Sequence, residues 1–79
     1  MTHVPHELHE EFPDAADALH RLKQENSHFA KLADEYHAVN REIHRIESEV
    51  EAASDEHAEE LKKRRLALKD EIAEIIRAA

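Results

Sequence analysis

Four consecutive bases, Lys62, Lys63, Arg64 and Arg65, stand in a chain whose formal net charge is −8. Three chemistries suit such a run: contact with phosphates, pairing with the chain's own acids, or contact with an acidic protein partner. Successive helical residues turn by about 100°. On a helix the four side chains therefore wrap around the axis and present no single basic face. Residues 54 to 79 hold seven acids and six bases, so this part of the chain is nearly neutral. No aromatic residue interleaves with the run, and no basic domain surrounds it. Pairing within the protein outweighs a nucleic-acid patch, in which Lys62, Lys63 and Arg64 would make the contacts. Arg65 differs from its neighbours. It falls on the apolar seam, in the layer of Ile43 and beside Glu42, where its stem covers apolar surface and its guanidinium reaches a carboxylate.

Eight of the 79 residues are histidine. His3, His6 and His9 are spaced by three, a pattern that brings imidazoles together on one helix face for a metal ion, but Pro5 interrupts it. His37 and His44 are about 10.5 Å apart along a helix axis, too far to share one ion within a chain. Packed or solvated histidines outweigh a metal site or a pH-responsive surface. Glu7, Glu10 and Glu11 lack the concave pocket that acid–base carboxylates need. The serine hydroxyls are Ser27, Ser48 and Ser54, and Ser27 and Ser54 stand where helix caps belong. Cysteine is absent, which removes thiolate ligands and disulfides; glycine is absent, which removes phosphate-cradling loops and dinucleotide fingerprints. The expectation is a protein that is not an enzyme, with no catalytic, cofactor-binding or metal-binding residues. Asn40, beside Val39, reads either as a register-setting polar residue or as a plain flanking one.

These residues sit on helices. Charged residues are 38% and aromatics 4%, the composition of long helices and coiled coils. Pro13 suits the first position of a helix over roughly 13–24, with Asp14 and Asp17 in its first turn. Residues 1–12 hold Pro5 and little apolar material and are expected to be loosely ordered. The stripe through Leu8, Phe12, Ala15, Leu19 and Leu22 breaks at 25–27, where Asn26 or Ser27 caps a new helix. From there the heptads are regular: Phe29, Tyr36, Ile43 and Val50 in one set, Leu32, Val39, Ile46 and Ala53 in the other. That helix is expected over 27–52. Ser54, followed by Asp55 and Glu56, starts a last helix over 55–77. Folded back on each other, the two long helices match Ile46 with Leu61, Val39 with Leu68, Tyr36 with Ile72 and Leu32 with Ile75. The N-terminal sequence does not read as a signal peptide, and no apolar run approaches the roughly 18 residues of a membrane span. Cytoplasmic residence is expected, without membrane contact.

The stretches "HFAKLADEY" and "RLALKDEI", within "EFPD", "LKQENSHFAKLADEYHAVNREIHRIE" and "KKRRLALKDEI", resemble the YdcH-like family of small bacterial proteins, the domain of unknown function 465. The resemblance covers roughly residues 10–77. It implies a short cytoplasmic bacterial protein, helical and coiled-coil-like, and it transfers no catalytic residue.

The fold expected is therefore all-α: a short N-terminal helix followed by a long antiparallel helical hairpin, with residues 13–79 as one domain. Its widest apolar face holds Phe29, Leu32, Tyr36, Val39, Leu68, Ile72, Ile75 and Ile76, and a second copy covering that face makes a homodimeric bundle. The function expected is non-catalytic interaction or regulation through the helical surface. The alternative is a nucleic-acid-associated factor using Lys62 to Arg65, and a third reading is a pH- or metal-responsive module using the histidines.

Overall fold

The computed structural model describes residues 5–49 and 52–79. Its elements are α1 (Leu8–Glu11), a 3-10 turn (Pro13–Ala15), α2 (Ala16–Glu25), α3 (Ser27–Glu47) and α4 (Asp55–Ala78). No strand occurs among the described residues.

Local chemistry explains most boundaries. Pro13 opens the 3-10 turn, where its missing N–H costs nothing. The break between α2 and α3 is one residue. Asn26 is extended (φ −126°, ψ 103°) and its side chain accepts from the Phe29 N–H at 3.0 Å. It ends one helix and caps the next; Ser27 is already the first residue of α3. Ser54 caps α4 by accepting from the His57 N–H at 3.1 Å, with Asp55 and Glu56 in the positive first turn.

The far end of α3 departs from the expected 27–52. The helix stops at Glu47. Ser48 turns its hydroxyl back onto the His44 carbonyl, and Glu49 takes φ 62°, with its N–H on the Ile46 carbonyl at 3.1 Å. A left-handed residue after a helix is usually glycine. The chain has none, and a glutamate holds the position. Of the last heptad layer, Val50 lies outside the described residues and Ala53 is exposed.

Helix α4 runs along α3 in the opposite direction: Lys62 reaches Glu47 at 3.5 Å, while Arg65 and Arg64 reach Asn40 at 3.0 Å and Glu35 at 3.4 Å. Tyr36, Val39 and Ile43 of α3 share one buried cluster with Leu68 and Ile72 of α4. Leu19 and Leu22 of α2 and Leu8 of α1 join the same cluster, and Phe12, Leu61, Ile75 and Ile76 pack against it. Burying a large apolar side chain fully contributes about 1.5–3 kcal/mol, and Phe29, Tyr36 and Ile72 are 0% exposed.

This arrangement changes the status of the apolar face read from the sequence. Phe29, Leu32, Tyr36, Val39, Leu68 and Ile72 are interior, and Ile75 and Ile76 are half-buried against them. The physical reason is the turn at Asn26. It folds α2 back along α3, and Leu8, Leu19 and Leu22 cover the seam from within the chain.

Candidate functional site

The segment expected to be loose forms, from Pro5 onward, a strap across α3 and α4. Leu8 is its anchor, 7% exposed in the shared core. The polar contacts arise from side chains on the two long helices. The Tyr36 hydroxyl donates to the His6 carbonyl at 2.6 Å. The Asn40 amide nitrogen, one helical turn further on, donates to the Pro5 carbonyl at 2.8 Å. Arg65 of α4 donates to the Asn40 side-chain oxygen at 3.0 Å. Asn40 is 1% exposed, and its amide bridges the strap on one side and the guanidinium on the other. A buried amide needs such partners, because leaving one end unpaired costs about 1–3 kcal/mol.

Acids of the strap meet bases of the helices at its edges. Glu11 Oε1 lies 3.2 Å from Lys69 Nζ and 3.5 Å from His6 Nδ1. Glu7 Oε2 lies 3.1 Å from His37 Nδ1. Lys69 Nζ also stands 6.0 Å from the centre of the Phe12 ring, within cation–π range. His6 carries φ 64°, the left-handed region, which costs a non-glycine residue about 1–2 kcal/mol. That conformation accompanies the placement of two successive carbonyls, those of Pro5 and His6, on Asn40 and Tyr36.

The electrostatics follow from burial and from these charges. Burial, with Glu11 and Glu7 nearby, pushes the Tyr36 phenol up to about 12, against the opposing pull of Arg65. Burial alone would raise the Glu11 carboxyl. The hydrogen bond and charge of Lys69, together with His6, outweigh it and hold the group below its ordinary 4.5. The site thus contains a phenol held protonated as a donor and a carboxylate held charged as an acceptor. The phenol holds the strap by the His6 carbonyl, and the carboxylate holds it to Lys69.

The other residues singled out by the sequence are dispersed. Lys62 pairs with Glu47 and Arg64 with Glu35, while exposed Lys63 stands near the Ser54–Glu60 end of α4. Arg65 is a seam residue, but the hydrogen bond it donates goes to Asn40, and Glu42 accepts from Arg45. His3 lies outside the described residues. His9, His20 and His37 line one open cleft of about 400 Å³ between the strap, α2 and α3. Among the described residues no three His, Asp or Glu side chains are placed to hold a metal ion. Ser48 and Ser54 serve helix ends.

Sequence reasoning missed the strap and the part played by Lys69, and gave Asn40 no more than a register role. A signal was present. Tyr36 and Asn40 are four apart, hence on one helix face, and both carry hydrogen-bond donors that a buried position obliges the fold to satisfy.

The family described as "Protein of unknown function (DUF465)" matches residues 29–76, which span most of α3 and α4. The chain belongs to that family. It is 35% identical over 65 residues to the "Uncharacterized protein YdcH" of Escherichia coli (strain K12), covering 82% of this chain and 88% of that protein. The same figures hold for the "Uncharacterized protein YdcH" of Shigella flexneri. No solved structure matches. Among the described residues no helix is long and apolar enough to cross a membrane.

Proposed function

We propose that this chain is a small, non-catalytic bacterial protein of the cytoplasm that acts as an interaction or regulatory module through its antiparallel α3–α4 hairpin. One observation carries the reading. The most buried polar side chain, Asn40, together with Tyr36 and Arg65, is devoted to gripping a short acidic segment of backbone. A site built to bind peptide backbone is a recognition site. Tyr36 and Asn40 donate to carbonyls, and the ionic contacts are partly exposed pairs, of the kind that contribute little to stability. The reading takes the single folded chain as the binding unit, since the chain fills its own seam; a homodimer is the competing arrangement.

The test is quantitative co-purification from the host under native conditions, paired with sedimentation and with titration by DNA and RNA. The reading predicts a discrete protein partner retained in near-stoichiometric amount. Tight nucleic-acid binding, lost in Lys62→Ala and Lys63→Ala with unchanged thermal melting, would replace it with the nucleic-acid reading. A dimer at all micromolar concentrations would return the apolar face to a second copy.

A further inference from the structure

Resting on that interaction reading, we infer that the surface formed by Tyr36, His37, Asn40, Arg65 and Lys69 is a peptide-docking seat, occupied in cis by residues 5–12. The partner it fits is an acidic segment that presents a leucine just after a tight turn, followed by a further acid within one helical turn. The strap itself displays the chemistry that the seat recognises. Two successive main-chain carbonyls face Tyr36 and Asn40, at 2.6 and 2.8 Å. Hydrogen bonds to carbonyls place no demand on side-chain identity at those two positions. Specificity then falls on three points: Leu8 in the core, Glu7 against His37 at 3.1 Å, and Glu11 against Lys69 at 3.2 Å. Leu8 and Glu11 are three apart on the four-residue α1, so the anchor and the second acid lie near one face.

Charge complementarity favours an acidic partner. The seat offers Arg65 and Lys69, with His37 at its edge, and the strap answers with carboxylates at both ends. The seat is built for release as well as for binding. Among the described residues no backbone-to-backbone hydrogen bond joins residues 5–12 to α3 or α4, and each hydrogen bond to the seat has a seat side chain as one partner. Its ionic contacts are partly exposed, the His37 side chain being 52% accessible. Every seat residue lies within the 29–76 stretch that matches the family, and the strap lies before it. The strap acts as a built-in competitor for the seat. A segment tethered beside its site has an effective concentration of about millimolar, so a partner peptide must outcompete it or meet a chain whose strap is already displaced.

The experiment uses the full chain and a synthetic capped peptide copying residues 5–12, PHELHEEF. Binding is followed by calorimetry and by the NMR signal of the Asn40 side-chain amide. Leu8→Asp in the full chain withdraws the cis anchor. Glu11→Lys, which turns the strap against Lys69, is a second opening variant in case the first loses helix content. The inference predicts that an opened chain binds the peptide at least tenfold more tightly than the wild type, whose seat is filled. It also predicts that the Asn40 amide signal moves. A peptide with lysines replacing its two matching glutamates, or with aspartate replacing its leucine, should bind at least tenfold more weakly. Equal affinity of wild type and both opened variants would overturn the inference. So would failure of a folded, opened chain to bind, or binding indifferent to the peptide's charge. A wild type that instead dimerises by exchanging straps, seen as peptide-sensitive sedimentation, would assign the seat to a second copy. The native co-purification result stands apart from all of these outcomes, because a partner can be retained by another face.

Discussion

Tyr36 offers a direct reading of the strap, because the chain has one tyrosine and no tryptophan. Its phenolate absorbance in the near ultraviolet therefore reports one group. In the folded chain the phenol is pushed from 10.0 up to about 12, first by burial and then by the charges of Glu11 and Glu7, with Arg65 opposing. A group whose folded value is raised contributes stability that is fully present below its unfolded value. The native state keeps the proton between 10.0 and about 12 while the unfolded chain has lost it. Stability should therefore fall as pH rises through that window. The gap corresponds to roughly 2–3 kcal/mol, an upper figure because salt screens the carboxylate part. The assay is an alkaline absorbance titration in buffer and again in strong urea, with thermal melts of the wild type and Tyr36→Phe across the same range. The wild type should titrate near 12 when folded and near 10 in urea. Tyr36→Phe should cost about 0.5–1.5 kcal/mol at neutral pH, the contribution of one hydrogen bond, and should lack the tyrosine part of the alkaline decline. A native midpoint near 10, matching the urea value, would refute the argument: the phenol would then be open to water and off the His6 carbonyl.

Arg65→Ala should destabilise the fold by about 1–3 kcal/mol, because it strips a partner from buried Asn40, whereas Lys63→Ala should cost about 0–1 kcal/mol; equal melting shifts would contradict the seam placement of Arg65. Glu11, held below 4.5 by Lys69 and His6 against its burial, contributes stability present above 4.5 and lost as pH falls through its lowered folded value. Glu11→Gln should weaken the strap at neutral pH and flatten part of the acid unfolding curve, and an unaltered curve would count against the Lys69 pair. Glu49→Gly should stabilise by about 1 kcal/mol by relieving the left-handed strain at φ 62°, raising the Tm by about 4–8 °C; a lowered Tm would show that the turn does not hold that conformation.

Much of the helical architecture was legible from the sequence. Asn26, Ser54 and Pro13 mark helix starts through simple capping chemistry, and the heptads of α3 and α4 place Tyr36, Val39, Ile43, Leu68 and Ile72 on facing stripes that the structure buries together. The end of α3 was not legible, because its stop signal is a glutamate in a glycine's role and a serine bonded back to His44. Neither residue type announces a helix end. The strap was hidden for a different reason. Residues 5–12 carry one fully buried aliphatic side chain, Leu8, and the hydrogen bonds that seat them on Tyr36 and Asn40 are made by carbonyls. Main-chain acceptors leave no trace in composition or periodicity. The apolar stripe is visible in the sequence, but which surface covers it depends on a three-dimensional turn at Asn26 that a linear pattern does not show.

The central claim is that residues 5–12 lie across Tyr36 and Asn40 in the isolated chain. The chain has no cysteine, so His9→Cys, at an exposed strap position next to the Leu8 anchor, provides a single site for a nitroxide spin label. Paramagnetic broadening is then measured by NMR on dilute protein. The account predicts strong broadening of the Asn40 side-chain amide and the Tyr36 ring, with Ala58, near the start of α4, much less affected. Sharp Asn40 and Tyr36 signals in a chain whose α3 and α4 remain helical would contradict it.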